Sequence, residues 1–140
     1  LFEIASDKGD LDAINNLGKC YENGDGVAKN YNEAFRLYDL ASDRGNLDAT
    51  NNLASCYKNG YGVQKDLNEA FRLYQMASDK GNLDGTYNLA ICYENGYGVE
   101  KNLNEAIRLY TIASDEGNME ASKRLSKGFG FYNFLFGGPK

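Results

Sequence analysis

The sequence predicts an all-α fold, a solenoid of stacked antiparallel helix pairs. Three observations predict it: a fixed period of 36 residues, two amphipathic helical stretches in every period, and glycines at the same phase of each. Cys20, Cys56 and Cys92 fall 36 residues apart, as do Gly45, Gly81 and Gly117. Residues 10–45 and 46–81 share 24 of 36 residues, and 46–81 and 82–117 share 26. A repeat of this length is too short to bury its own apolar face, so each unit needs its neighbours.

The units run 10–45, 46–81 and 82–117. Residues 1–9 read as the second helix of a preceding, truncated unit, because Leu1 to Asp7 resembles Leu37 to Asp43. Residues 118–127 begin a degenerate fourth unit, and 128–140 form an aromatic tail. All belong to one solenoid domain.

Each first helix is predicted over about 11–22, 47–58 and 83–94. Asp10, Asn46 and Asn82 are the N-cap candidates, and Asp12, Asp48 and Asp84 sit near the positive helix end. Asn23-Gly24, Asn59-Gly60 and Asn95-Gly96 supply the left-handed stop. Each second helix is predicted over about 31–44, 67–80 and 103–116. It opens on a capping box: Asn30 with Glu33, Asp66 with Glu69, Asn102 with Glu105. Between the helices the loop reads Gly-x-Gly-Val-x-Lys, with the valine plugging it onto the core. A 100° step places Ala13, Leu17 and Cys20 together on the first helix, and Ala34, Leu37, Tyr38 and Ala41 on the second. These types recur in every unit, with Gly85 replacing alanine in the third.

Composition narrows the function. The hydrophobic fraction of 42% permits a packed core, and no apolar run is long enough for a membrane-spanning helix. A net charge of -5 opposes wrapping a phosphate backbone. The chain has no histidine, so the commonest general base and metal ligand are missing. The three cysteines read as small buried hydrophobes and reduced thiols of a cytoplasmic protein, with no nucleophile, metal or cofactor to serve. The chain opens on Leu1 with no targeting pattern, as a piece of a longer protein would. Gly24-x-Gly26 lacks the third glycine of a dinucleotide loop, and Glu22 to Glu33 lacks the oxygen ligands of a calcium loop. The pairs Glu33/Arg36, Glu69/Arg72 and Glu105/Arg108 read as surface i,i+3 ion pairs.

The recurring pattern A-x-x-x-L-[GA]-x-x-Y-x-x-G-x-G-V, followed by A-x-x-x-Y-x-x-A-x-x-x-G, resembles the Sel-one-like repeat, a relative of the tetratricopeptide repeat, over residues 10–117. One departure is Leu37-Tyr38 where the family often carries an aromatic pair. The resemblance implies a right-handed α-solenoid whose first helices line a concave groove. It also implies a non-catalytic adaptor or scaffold that holds partner proteins.

Stepping i, i+4, i+7, i+11 keeps to one stripe of a helix. That stripe is Asp12, Asn16, Lys19 and Asn23 in the first unit, and Asp48, Asn52, Ser55 and Asn59 in the second. In the third it is Asp84, Asn88, Ile91 and Asn95. By the resemblance it faces the groove. A ladder of Asn16, Asn52 and Asn88 offers donors and acceptors to the backbone of an extended peptide. Selectivity then falls to positions that vary between units: Lys19, Ser55 and Ile91, with neighbouring Asn15, Asn51 and Tyr87. The competing expectation is that these asparagines bond neighbouring helices and only shape the solenoid.

The tail carries Phe129, Phe131, Phe134 and Phe136. It reads as a cap folded back on residues 103–127, or as an element that docks into a partner or a second copy. The expected partner is a protein or peptide segment, without nucleic acid or membrane. Self-association, end to end or through the tail, is the alternative.

Overall fold

The computed structural model describes residues 8–129. It is an α/α solenoid without a strand among those residues. The order is α1 (Lys8–Asn23), α2 (Tyr31–Asp43), α3 (Leu47–Asn59), α4 (Leu67–Asp79), α5 (Leu83–Asn95), α6 (Leu103–Asp115) and α7 (Met119–Arg124), closed by a π-helical turn over Leu125–Phe129. The odd-numbered helices are the first, or A, helices of each unit; the even-numbered ones are B helices.

Capping fixes the boundaries. Asn30, Asp66 and Asn102 cap the B helices, each accepting from the backbone N–H three residues on at 3.0 Å. The expected capping box forms only by half. The glutamates Glu33, Glu69 and Glu105 do not turn back; they grip Arg36, Arg72 and Arg108 in two-pronged pairs. These arginines hold the glutamate carboxyls below their usual range. The N-cap backbone N–H groups instead donate across the hairpin, from Asn30, Asp66 and Asn102 to the carbonyls of Tyr21, Tyr57 and Tyr93. A cap residue therefore also ties B back to the end of A, which the box would not do.

A second correction concerns the chain's start. α1 already includes Lys8 and Gly9, so Gly9 does not act as a helix stop and Asp10 lies within α1 rather than at its cap. Glycine permits a left-handed stop without compelling one. At Gly45, Gly81 and Gly117 the stop is enforced by bonds from the following asparagine N–H to Ala41, Ala77 and Ala113. Residues 1–7, expected to belong to a preceding unit, lie outside the described residues.

The core is the repeated set the periodicity predicts. Tyr38, Tyr74 and Tyr110 are fully buried, with Leu53, Leu89, Cys56 and Cys92 packed around them. Val63 and Val99 pack onto this core from the loops. Unit one departs: Leu17 is 43% exposed where Leu53 is 5% and Leu89 2%. Ala13 is exposed as well. The residue type is right, but a core face needs a B helix on its N-terminal side, and no described helix lies there.

Candidate functional site

Adjacent A helices touch through side chains. Asn52 Nδ2 donates to Asn15 Oδ1 and Asn88 Nδ2 to Asn51 Oδ1, both at 2.9 Å. Asn46 Nδ2 donates to Asp12 Oδ1 and Asn82 Nδ2 to Asp48 Oδ1, both at 2.8 Å, and Asn118 reaches Asp84 at 3.4 Å. The B helices stand further apart: a cavity of about 270 Å³ opens between α4 and α6, lined by Gln75, Asp79, Leu109 and Ile112 among others. Close A helices and spread B helices bend the stack with the A face inward.

The predicted stripe divides into groups on this face. Asn15 and Asn51 are buried at 6% and 8% exposure, and their carboxamide oxygens accept from the next unit, which withdraws them from the reach of a partner. The ladder shifts by one residue between units, because the A helices are rotated so that position 52 meets 15 rather than 16. Asn16 is exposed and carries no hydrogen bond among the described residues. Asn52 and Asn88 are half-buried; each commits one amide hydrogen to the stack. Asp12, Asp48 and Asp84 are exposed but anchor the next unit's cap. Lys19, Asn23, Asn59 and Asn95 are exposed, and Asn95 bonds back to the Ile91 carbonyl. Ile91 and Tyr87 are half-buried, with the Tyr87 ring 5.7 Å from Tyr110.

Ser55 has a structural partner. The buried Tyr38 and Tyr110 hydroxyls donate to Glu22 and Glu94 at 2.7 Å. Unit two has Lys58 in place of that glutamate, and there Tyr74 shares a 2.6 Å hydrogen bond with Ser55. Burial pushes all three phenols up, so the hydroxyls stay neutral. The exchange of Glu22 and Glu94 for Lys58 was visible in the sequence; asking where each buried tyrosine hydroxyl goes would have found it.

The stripe continues beyond the third unit. Adding one period to positions 15, 16 and 19 of the first unit three times leads to Lys123, Arg124 and Lys127, which with Tyr87 and Glu120 line a cavity of about 320 Å³. Sequence reasoning stopped short of these residues because the fourth unit loses its pattern. Phe129 ends the π-helical turn; Phe131, Phe134 and Phe136 lie outside the described residues.

No catalytic constellation accompanies the face among the described residues. Burial pushes the Cys56 thiol up to about 12 and the Cys92 thiol up to about 11, which removes thiolate at neutral pH. Among the described residues no three His, Cys, Asp or Glu side chains converge as a metal site would require. No described helix is long and apolar enough to cross a membrane.

Stacked helical hairpins with a hydrogen-bonded, sequence-variable inner face define an α-helical repeat solenoid, a class of interaction scaffold. The Sel1 repeat profile matches residues 11–46, 47–82 and 83–118, and the chain belongs to the Sel1 repeat family. Proteins of this family are generally non-catalytic and mediate protein–protein interactions. Among solved structures, a Sel1 repeat protein from Oxalobacter formigenes is 31% identical with a TM-score of 0.83, over 97% of this chain and 53% of that one. A protective antigen of uropathogenic Escherichia coli displaying an SLR fold is 31% identical with a TM-score of 0.76, over 89% of this chain and 27% of that one. Helicobacter pylori cysteine-rich protein B is 26% identical with a TM-score of 0.64, over 81% of this chain and 93% of that one. The chain thus spans about a quarter of the antigen's length and about half of the Oxalobacter protein's. A search of curated proteins found no match.

Proposed function

We propose that the chain is an adaptor module that binds an extended peptide or protein segment along its A-helix face, without catalysis. The observation that supports this is the spare capacity of the ladder. Among the described residues, Asn52 and Asn88 each retain a carboxamide oxygen and a second amide hydrogen without a partner, and Asn16 retains all of its groups. An extended peptide presents alternating N–H and C=O groups that such a row can meet. Lys19, Ile91 and Tyr87 differ between otherwise similar units and would select side chains, while the Ser55 hydroxyl is taken up by Tyr74. A cytoplasmic setting, where the three thiols stay reduced, goes with this reading.

Asn16→Ala separates binding from stability, since its side chain holds nothing in the stack. It should weaken a peptide selected on this chain severalfold and leave the melting temperature unchanged. Asn52→Ala should weaken the same peptide and also cost about 1 kcal/mol of stability, the worth of one hydrogen bond. Titration calorimetry and thermal melts read both. Unchanged affinity in both variants would remove the ladder from the binding face.

One observation favours a second reading, end-to-end association: the exposure of Leu17 and Ala13 at the N-terminal end of the stack. Sedimentation over a concentration series should then show a species that grows with concentration and is suppressed by Leu17→Lys. A monomer at every concentration excludes it.

A further inference from the structure

The C-terminal end of the A-helix face differs in charge from the rest. The chain carries a net charge of -5, yet the cavity beside α7 is lined by Lys123, Arg124 and Lys127 together with Tyr87 and a single acid, Glu120. These cations occupy the stripe positions held by Asn15, Asn16 and Lys19 in the first unit. Their states differ. Arg124 is fixed in place by Glu94, with Nη2 to Oε2 at 2.6 Å and Nε to Oε1 at 3.2 Å, and its Nε also reaches the Tyr110 hydroxyl at 3.4 Å. Lys123 meets Glu120 only at 3.7 Å, with both side chains 65% exposed. Lys127 is exposed and has no acidic partner among the described residues. One end of the face therefore holds positive charge that the fold does not use.

We infer that this end of the groove selects for acid: the bound segment is an extended peptide with carboxylate side chains at alternate positions, seated on Lys123 and Lys127 over the Tyr87 ring. The inference rests on the peptide-binding reading. Lys123 at the end of α7 and Lys127 in the π-helical turn lie four residues apart and line the same cavity, which places their stems on the order of 6 Å from each other. An extended strand turns every second side chain to one face, about 6.6 Å along the chain. Acidic residues at i and i+2 thus match the two lysines, and the residue between them points away. The uncharged Asn ladder then takes the rest of the backbone. Charge complementarity also orients the peptide, because in the first unit Lys19 shares the stripe with Asp12, whereas this end sets Lys123 and Lys127 together.

Selection of a random peptide display library on the 140-residue chain, in parallel with Lys123→Gln/Lys127→Gln, tests this. Both lysines are exposed and Arg124 is untouched, so the variant retains the Glu94–Arg124–Tyr110 cluster. The expected result is enrichment of acid-x-acid peptides on the natural chain, with a labelled winner binding the variant about tenfold more weakly, as the loss of two exposed charge pairs implies. Its affinity for the natural chain should also fall as salt rises, while an Asn/Gln analogue of the winner stays constant. Enriched peptides without excess acid would overturn the inference and leave the groove reading standing. Acidic winners that bind natural and variant chains alike would overturn it too, by placing the contact elsewhere. No enrichment on either chain would overturn both readings.

Discussion

Gly98→Ala should cost at least about 3 kcal/mol of stability, a large share of the roughly 5–15 kcal/mol that holds a domain folded. Two effects combine. Gly98 has φ +72, a left-handed conformation that costs an L side chain about 1–2 kcal/mol. A methyl group there would also collide with the Leu67 carbonyl oxygen and lie 2.9 Å from Phe71 Cβ, both on the previous unit's B helix. A backbone carbonyl in the first turn of α4 cannot step aside without moving the helix. Relief requires the loop to lift away from the preceding unit, and Val99 leaves the core with it. The same position in unit one provides the control. Gly26 has φ +75, but a methyl group added to it would meet nothing within 4 Å, so Gly26→Ala should lose only the conformational part. Urea denaturation of both variants reads the difference, expected at about 2 kcal/mol. Equal losses would mean that backbone conformation alone accounts for the glycine and that contact between units contributes little.

That contrast also marks where sequence reading reaches its limit. Helix pairs, caps and the identity of the core residues were legible because they recur within each unit: Asn30 caps the helix after it, Gly60 stops the helix before it, and Tyr74 repeats Tyr38. Relations between units were not. Asn15 and Asn16 sit side by side in the sequence and look equivalent, yet Asn15 is buried beneath Asn52 while Asn16 faces solvent. The rotation of one A helix against the next decides this, and a 36-residue period leaves that rotation unspecified. Leu17 shows the same limit at the end of the stack, since its type matches Leu53 but its burial depends on a neighbour. Two signals were present and unread. Lys58 in place of glutamate called for another partner for Tyr74, and carrying the period one step past unit three exposes the lysines at 123 and 127.

Asn82→Ala should destabilise the chain by about 2–3 kcal/mol, more than a capping residue alone accounts for. Asn82 joins three helices. Its N–H donates to the Ala77 carbonyl and closes α4; its Oδ1 accepts from the Gly85 N–H at 2.7 Å and opens α5; its Nδ2 donates to Asp48 on α3 in the preceding unit. Alanine keeps the first bond and loses the other two. The cap is worth about 0.5–2 kcal/mol and the bond to a carboxylate about 1.5–3, with the exposed setting favouring the lower part of both ranges. Asn82→Asp divides them. Aspartate caps as well as asparagine, but it replaces the donor facing Asp48 with a second carboxylate. The cap survives and the bridge becomes a repulsion. Two carboxylates at that distance raise each other's pKa, so the penalty is full at neutral pH and shrinks as acid protonates one of them. Urea melts of the Asp variant at about pH 7 and about pH 4 should therefore show a smaller deficit at the lower pH, whereas the Ala variant's deficit should change little. The Asp variant matching the natural chain at neutral pH would show that the bridge holds nothing. Because this bridge couples α3 to α5 on the inward side, losing it loosens the coupling between units two and three. The Ala variant's transition should accordingly broaden as well as shift, as a row of nearest-neighbour units does when one interface weakens.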